Sequence, residues 1–221
     1  MRFSLTLFTV LFVAQLQAQF HRIPVLPSLS GQALLDQLVI DYKPLNVQSY
    51  SFARDVLYGS ILADDNGTVR CVYTGLEITI PFGADPTDWN FMNGSNNGMN
   101  TEHTWPQSNG ASIGNARADM HHLFPTRSPV NSARGSLPFG EVNDNSATSW
   151  YYLTTTQGNV PGSNIDLYSE LGNGFFEPRE DHKGNVARAM FYFYTMYRAQ
   201  ADAADPNYFG LQQSTDRKSV V

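Results

Sequence analysis

The sequence predicts an α+β fold in a single domain, with a strand–strand–helix unit embedded in helices and long loops. Three observations predict it. At 221 residues, with 42% hydrophobic and only 15% charged residues, the chain can bury one sizeable core and has a globular rather than a disordered composition. Apolar residues recur at helical spacing near both ends, while the middle holds short extended stretches separated by Gly, Asn, Asp and Pro. The polar residues with chemistry to offer concentrate between Glu102 and Arg134.

The first residues are expected to be removed. Arg2, the apolar run 3–14 and the polar stretch ending at Ala18 form a secretory signal over residues 1–18. The run is short of the roughly 20 residues that span a bilayer. A secreted or periplasmic protein is therefore expected, with no membrane attachment after cleavage. Residues 19–28 contain Pro24 and Pro27 and read as a leader, and 29–210 as the folded domain. Ser30 is placed to cap a helix with Leu34, Leu35, Leu38 and Val39 on one side. A second helix is expected over residues 49–58. Residues 68–80 read as extended chain broken by Gly75, and residues 81–100 as loop.

Residues 101–135 then supply two short extended pieces and a short helix. The helix is bounded by Ser128 as cap, Pro129 in its first turn and Gly135 as stop. Residues 143–181 read as a second long loop, with Glu177 and Arg179 as a loop ion pair. A buried helix is expected over residues 185–200, its Phe191-to-Tyr194 aromatics packing the core rather than stacking on bases. Residues 211–221 follow with no structural logic and are expected to be a non-native or truncated tail. Asn66-Gly67-Thr68 and Asn93-Gly94-Ser95 fit the glycosylation acceptor pattern.

Cys71 is the only cysteine, so an intramolecular disulfide and a Cys-rich zinc site are both excluded. Its apolar neighbours predict a buried, inert thiol. The net charge of −6 opposes phosphate binding overall. Within residues 102–141, however, Arg117, Arg127 and Arg134 balance Glu102, Asp119 and Glu141, and a divalent cation would make that region positive.

The chemistry follows from the residue types. Glu102 and Asn131 offer oxygen ligands, which suit a hard cation: Mg²⁺ first, with Ca²⁺ or Mn²⁺ as alternatives. His103 titrates near neutrality and can take a proton from water. Arg134 or Arg117 can hold a phosphate. Base, metal and arginine together point to phosphodiester hydrolysis. Adjacent residues on a regular strand face opposite ways, so the strand must end or bulge at Glu102-His103 for both to serve one site. His121 and His122 should likewise split, one inward and one outward. Ser108, Asp119, His121 and His122 are expected to support the site by hydrogen bonding.

The string Glu102-His103, Pro106-Gln107-Ser108, Asp119-Met120-His121-His122-Leu123-Phe124-Pro125, Val130-Asn131-Ser132-Ala133-Arg134-Gly135 and Pro138-Phe139-Gly140-Glu141 resembles the endonuclease I family. Phe176-Glu177-Pro178 and the run from Lys183 to Met190 extend the similarity over most of residues 50–200. The resemblance implies a ββα-metal, or His-Me finger, core in a nuclease that cuts DNA, and often RNA, with little sequence preference and leaves 5′-phosphates. It implies His103 as general base, Glu102 and Asn131 as ligands of one divalent cation, and Arg134 or Arg117 at the scissile phosphate. A monomer is expected. Two other readings compete: a secreted module that binds nucleic acid or metal without cutting, and a zinc hydrolase built on His103, His121 and His122.

Overall fold

The computed structural model describes residues 25–93 and 98–211. The expected signal, residues 19–24 of the leader, Gly94 and Ser95 of the second glycosylation triplet, and residues 212–221 of the expected tail lie outside the described residues. Among the described residues no helix is long and apolar enough to cross a membrane.

Helix α1 spans Gly31–Tyr42; Ser30 stands at its cap position but makes no side-chain capping bond. Helix α2, Tyr50–Val56, is capped by Ser49, whose Oγ accepts from the Phe52 amide at 3.3 Å. It runs on into a wider π-helical turn, Leu57–Ile61. Strands β1 (Thr68–Arg70) and β2 (Glu77–Thr79) pair antiparallel, and Gly75 between them takes φ 73°, a conformation that favours glycine. Helix α3, Pro86–Met92, occupies part of the stretch expected to be loop. Its signal is local: the Asp85 carboxylate accepts from the Asp88 amide at 2.8 Å and Pro86 opens the first turn.

Strand β3 is Met99–His103. A one-turn helix α4, Gly114–Ala118, and a 3₁₀ turn, Met120–His122, precede strand β4, Leu123–Arg127. The second of the two expected extended pieces is therefore extended only from Leu123 onward. β3 and β4 are antiparallel, with His103 opposite Leu123 and Met99 opposite Arg127. Helix α5, Ser128–Arg134, follows at once and ends at Gly135, φ 53°. Ser128 is not its cap; the hydroxyl donates to the Gly98 carbonyl at 2.9 Å and ties the start of α5 to the start of β3.

The second expected loop is mostly a sheet. Strands β5 (Ser149–Tyr152), β6 (Thr155–Gln157), β7 (Ser169–Gly172) and β8 (Phe175–Glu177) are antiparallel in the order β6-β5-β7-β8. Each is three or four residues long, too short for alternation to emerge from turn-rich surroundings. Helix α6, Glu180–Met196, starts a turn earlier than expected, with Glu180 and Asp181 in its first turn, where acidic groups suit the helix dipole. Helix α7 is Arg198–Ala204. Glu177 pairs with Lys183 and Arg179 with Asp181, so the expected Glu177–Arg179 pair does not form.

Trp105 joins the two halves of the core. It is fully buried directly after β3, stacks on Phe193 of α6 at 4.9 Å between centroids and meets Tyr208 edge-on at 5.3 Å. Its indole N–H donates to the Asn109 carbonyl at 2.6 Å. Cys71 is buried, and the Arg127 amide lies 3.1 Å from its sulfur. Trp105→Ala is expected to cost about 3–5 kcal/mol by removing a large side chain from a packed core. Urea unfolding monitored by far-UV circular dichroism measures it, and a loss below about 1 kcal/mol would contradict this account of the core.

Candidate active cleft

β3 ends at His103, and this ending resolves the problem of strand alternation. Glu102 and His103 both line an open cleft of ≈ 320 Å³, together with Asn131, Gln107, Ser108 and Ser136 among others. The cleft thus gathers four of the residues predicted from the sequence, His103, Glu102, Asn131 and Ser108. Arg134, Arg117, Asp119, His121 and His122 do not line it.

Glu102 is only 2% exposed. One carboxylate oxygen, Oε1, accepts from the Tyr73 hydroxyl at 2.9 Å and faces the Arg134 guanidinium at 2.8 Å. Oε2 is left as the oxygen free for the cleft. Burial pushes the carboxyl up to about 7, although Arg134 and then Tyr73 pull it down. Arg134 is 1% exposed. It also donates to the carbonyls of His103 at 3.1 Å and Thr104 at 2.8 Å and to the Tyr208 hydroxyl at 3.2 Å, and its guanidinium lies 4.3 Å from the centre of the Phe139 ring. Both of its terminal nitrogens are engaged away from the cleft, which Arg134 does not line. The long side chain reaches inward from α5 beneath the end of β3.

Asn131, three residues earlier on α5, turns the other way. Its amide nitrogen donates to Asn100 Oδ1 at 2.6 Å and to the Thr101 carbonyl at 3.2 Å. With the donor end committed, the carbonyl oxygen is the end available to the cleft.

His103 Nε2 lies 3.0 Å from the Arg117 carbonyl. A carbonyl can only accept, so Nε2 carries the proton and Nδ1 keeps its lone pair. Gln107 Nε2 lies 3.3 Å from that Nδ1. The neighbouring Ala116 carbonyl holds His122 Nε2 at 2.8 Å in the same manner. Two successive carbonyls of α4, of the kind a helix end leaves without intrahelical partners, therefore orient two imidazoles. Burial lowers His103 to about 3, helped by His122, Arg117 and Arg134 and opposed by the Arg117 carbonyl bond. The imidazole is neutral at working pH.

The supporting residues sort by position. Asp119 is buried and accepts from the His121 amide and ring, the Tyr192 hydroxyl at 2.8 Å and the Tyr197 hydroxyl at 2.7 Å. It fastens the turn that presents α4 and β4 to α6. His121 is largely exposed and stacks on Tyr192 at 4.4 Å, whereas His122 is buried between the rings of His103 and Phe193. One faces out and one in, as expected, but from a 3₁₀ turn rather than from a strand. Ser108 Oγ pairs with Ser136 Oγ at 2.7 Å across the cleft rim. Arg117 is exposed, with its guanidinium 4.5 Å from the centre of the Tyr50 ring.

A divalent cation fits this donor set. One carboxylate oxygen and one amide oxygen open onto the same cleft, and a buried carboxyl raised toward neutrality is a group that a cation would stabilise. The three histidines of the zinc-hydrolase reading are not gathered at one point. Among the described residues no group of three His, Cys, Asp or Glu is arranged to hold a metal, and His121 is turned away to Asp119. Sequence reasoning missed Tyr73, which reaches Glu102 across 29 residues of chain; nothing near Tyr73 marks it. It also gave no role to Gln107, although that residue stands in the recognised string.

A family model described as Endonuclease I matches residues 34–218. The extracellular ribonuclease of Bacillus subtilis (strain 168) is 38% identical over 110 residues, which is 48% of this chain and 32% of that protein. The extracellular ribonuclease of Bacillus amyloliquefaciens is 36% identical over 107 residues, 47% and 31% of the two chains. The matched stretch spans about a third of the length of these curated relatives.

Asp119 yields a pH-dependent prediction. Its hydrogen-bond donors outweigh burial and hold the carboxyl below its ordinary value, at about 2. A depressed folded pKa stabilises the fold above the unfolded value, and that contribution disappears as pH falls through the folded one. Asp119→Asn is expected to cost about 2 kcal/mol at neutral pH. The gap from wild type should narrow as pH is lowered from about 4 toward 2. Calorimetry across that range checks it; a gap independent of pH contradicts the assignment.

Proposed function

Because the chain belongs to the endonuclease I family, we propose that it is a secreted nuclease. In this reading the domain over residues 29–210 hydrolyses phosphodiester bonds of DNA, and of RNA, with little sequence preference. The single observation that carries the proposal is a neutral imidazole whose Nε2 proton is fixed by a main-chain carbonyl, opening onto the same cleft as a carboxylate and an amide oxygen. The names of the Bacillus relatives support both secretion and a nucleic-acid substrate.

The division of labour follows from the contacts. His103 takes a proton from water through Nδ1, the nitrogen left with a lone pair. The water oxygen bonds to phosphorus as the bond from phosphorus to the 3′-oxygen breaks; the 3′-oxygen takes a proton from solvent and the imidazolium returns its own to solvent, leaving a 5′-phosphate and a 3′-hydroxyl. Glu102 and Asn131 would hold one divalent cation, Mg²⁺ foremost, which supplies Lewis-acid stabilisation of charge on the phosphate and the leaving oxygen. A bound phosphate anion favours the imidazolium and raises the basicity of His103 when substrate is present. Arg134 acts through Glu102: it fixes one carboxylate oxygen and leaves the other for the cation. Arg117 orients His103 through its carbonyl and keeps its guanidinium exposed for phosphate. Strands β3 and β4 with helix α5 would then be the ββα-metal unit, ordered as that motif requires.

Chelation is expected to abolish degradation of supercoiled plasmid and of total RNA. His103→Ala should reduce turnover by about 10²-fold or more while divalent-ion binding by calorimetry persists. Full activity of that variant sinks the mechanism. A second outcome concerns pH. Glu102 is protonated below about 7 in the metal-free protein, and the protonated form is the poorer ligand. The cation concentration giving half-maximal rate should therefore rise as pH falls below about 7, by up to about tenfold per unit. A constant requirement from pH 8 to about 5 contradicts it.

A further inference from the structure

In this acidic chain the cations without a carboxylate partner carry information. Arg70, Arg134, Arg179, Lys183 and Arg198 are each ion-paired. Lys43 lies over the Tyr197 ring and Arg188 bonds the Asn185 amide, without an ion pair; Arg54 and Arg117 likewise make no ion pair among the described residues. Both instead rest against one ring: their guanidinium carbons lie 4.7 and 4.5 Å from the centroid of Tyr50. Tyr50 and Arg54 are a turn apart on α2 and Arg117 is in the last turn of α4, so the cluster forms only where these helices meet. The Tyr50 ring also lies 5.4 Å from the His103 ring.

Two like charges gathered on one ring leave unneutralised positive potential beside the imidazole. A cation–π contact engages the face of a guanidinium and leaves its terminal N–H groups for a ligand. Planar donors of this kind match the oxygens of a phosphodiester. With a net charge of −6, the protein approaches a polyanion favourably only through such a local patch.

We propose that Arg54, Tyr50 and Arg117 form a phosphate subsite beside His103 that grips the nucleic-acid backbone next to the scissile bond. Arg54 and Arg117 contact phosphate oxygens, and Tyr50 is the positioning residue that fixes both guanidiniums against the imidazole. This rests on the nuclease reading of the cleft and adds the grip on the polymer that the cleft residues do not supply.

The test is fluorescence anisotropy of a short fluorescein-labelled single-stranded oligodeoxynucleotide, titrated with the full chain in chelator over a range of salt. Plasmid cleavage with Mg²⁺ is measured alongside. Arg54→Gln is expected to weaken binding roughly tenfold and to reduce the slope of log K against log salt by about 0.7, the value for one lost single-strand phosphate contact. Arg54→Lys keeps the charge and should keep the slope. Arg70→Gln, which removes a cation already paired with Asp181, should bind as wild type does. Thermal melts verify folding; should Arg54→Gln fail to fold, the exposed Arg117→Gln carries the same comparison. A folded Arg54→Gln with wild-type affinity and slope, in a protein that still cleaves, overturns the subsite alone, as does an equal loss in Arg70→Gln. A wild type that neither binds nor cleaves overturns the nuclease reading with it.

Discussion

The arrangement of the cleft depends on one buried ion pair, Arg134 with Glu102 at 2.8 Å. Taking two charges out of water costs several kcal/mol per ion, and their attraction offsets this only when further hydrogen bonds engage both groups. Here they do. Arg134 also bonds the main-chain carbonyls of His103 and Thr104 and the hydroxyl of Tyr208, while Tyr73 completes the same carboxylate oxygen. One guanidinium thus ties the end of β3, helix α5 and the segment after α7 into a single geometry. What the pair contributes beyond stability is direction: one oxygen of Glu102 is held inside and the other is presented to the cleft.

The same economy governs the imidazoles. The one-turn helix α4 ends with carbonyls that hold His103 and His122, and Asp119 anchors the turn that follows through four accepted hydrogen bonds. Tyr192 and Tyr197 place that anchor on α6. A change in α6 can therefore alter the tautomer-setting contact of His103 without touching the cleft. Trp105, two residues after β3, stacks on the same helix, so α6 packs against both the turn before β4 and the segment after β3.

The unit itself was legible because its signals are local. Pro129 and Gly135 bound α5, and the requirement that the strand end or bulge at Glu102-His103 follows from strand geometry alone. Local reading failed where the deciding contacts are distant or the elements short. Helix α3 was hidden by Gly- and Asn-rich surroundings despite its Asp85 cap. The four-stranded sheet was hidden because Ser149–Tyr152 and its neighbours gain their order from pairing across the sheet rather than from their own alternation. Tyr73 and Tyr50 carry no mark at all before the chain is folded.

From residue types and spacing came the candidate carboxylate–amide–imidazole set at Glu102, Asn131 and His103 and the expectation of a single buried thiol at Cys71; the family came from the resemblance of the string that contains them. These are properties of side-chain chemistry and of short stretches of backbone, which do not need the rest of the chain. The surroundings of the two arginines were decided by folding. Arg134 and Arg117 are equivalent as charges in the sequence, but packing buries the first against Glu102 and leaves the second on the surface beside Tyr50. Burial and partners, not residue identity, decide whether a guanidinium neutralises a carboxylate within the protein or faces a phosphate from outside it.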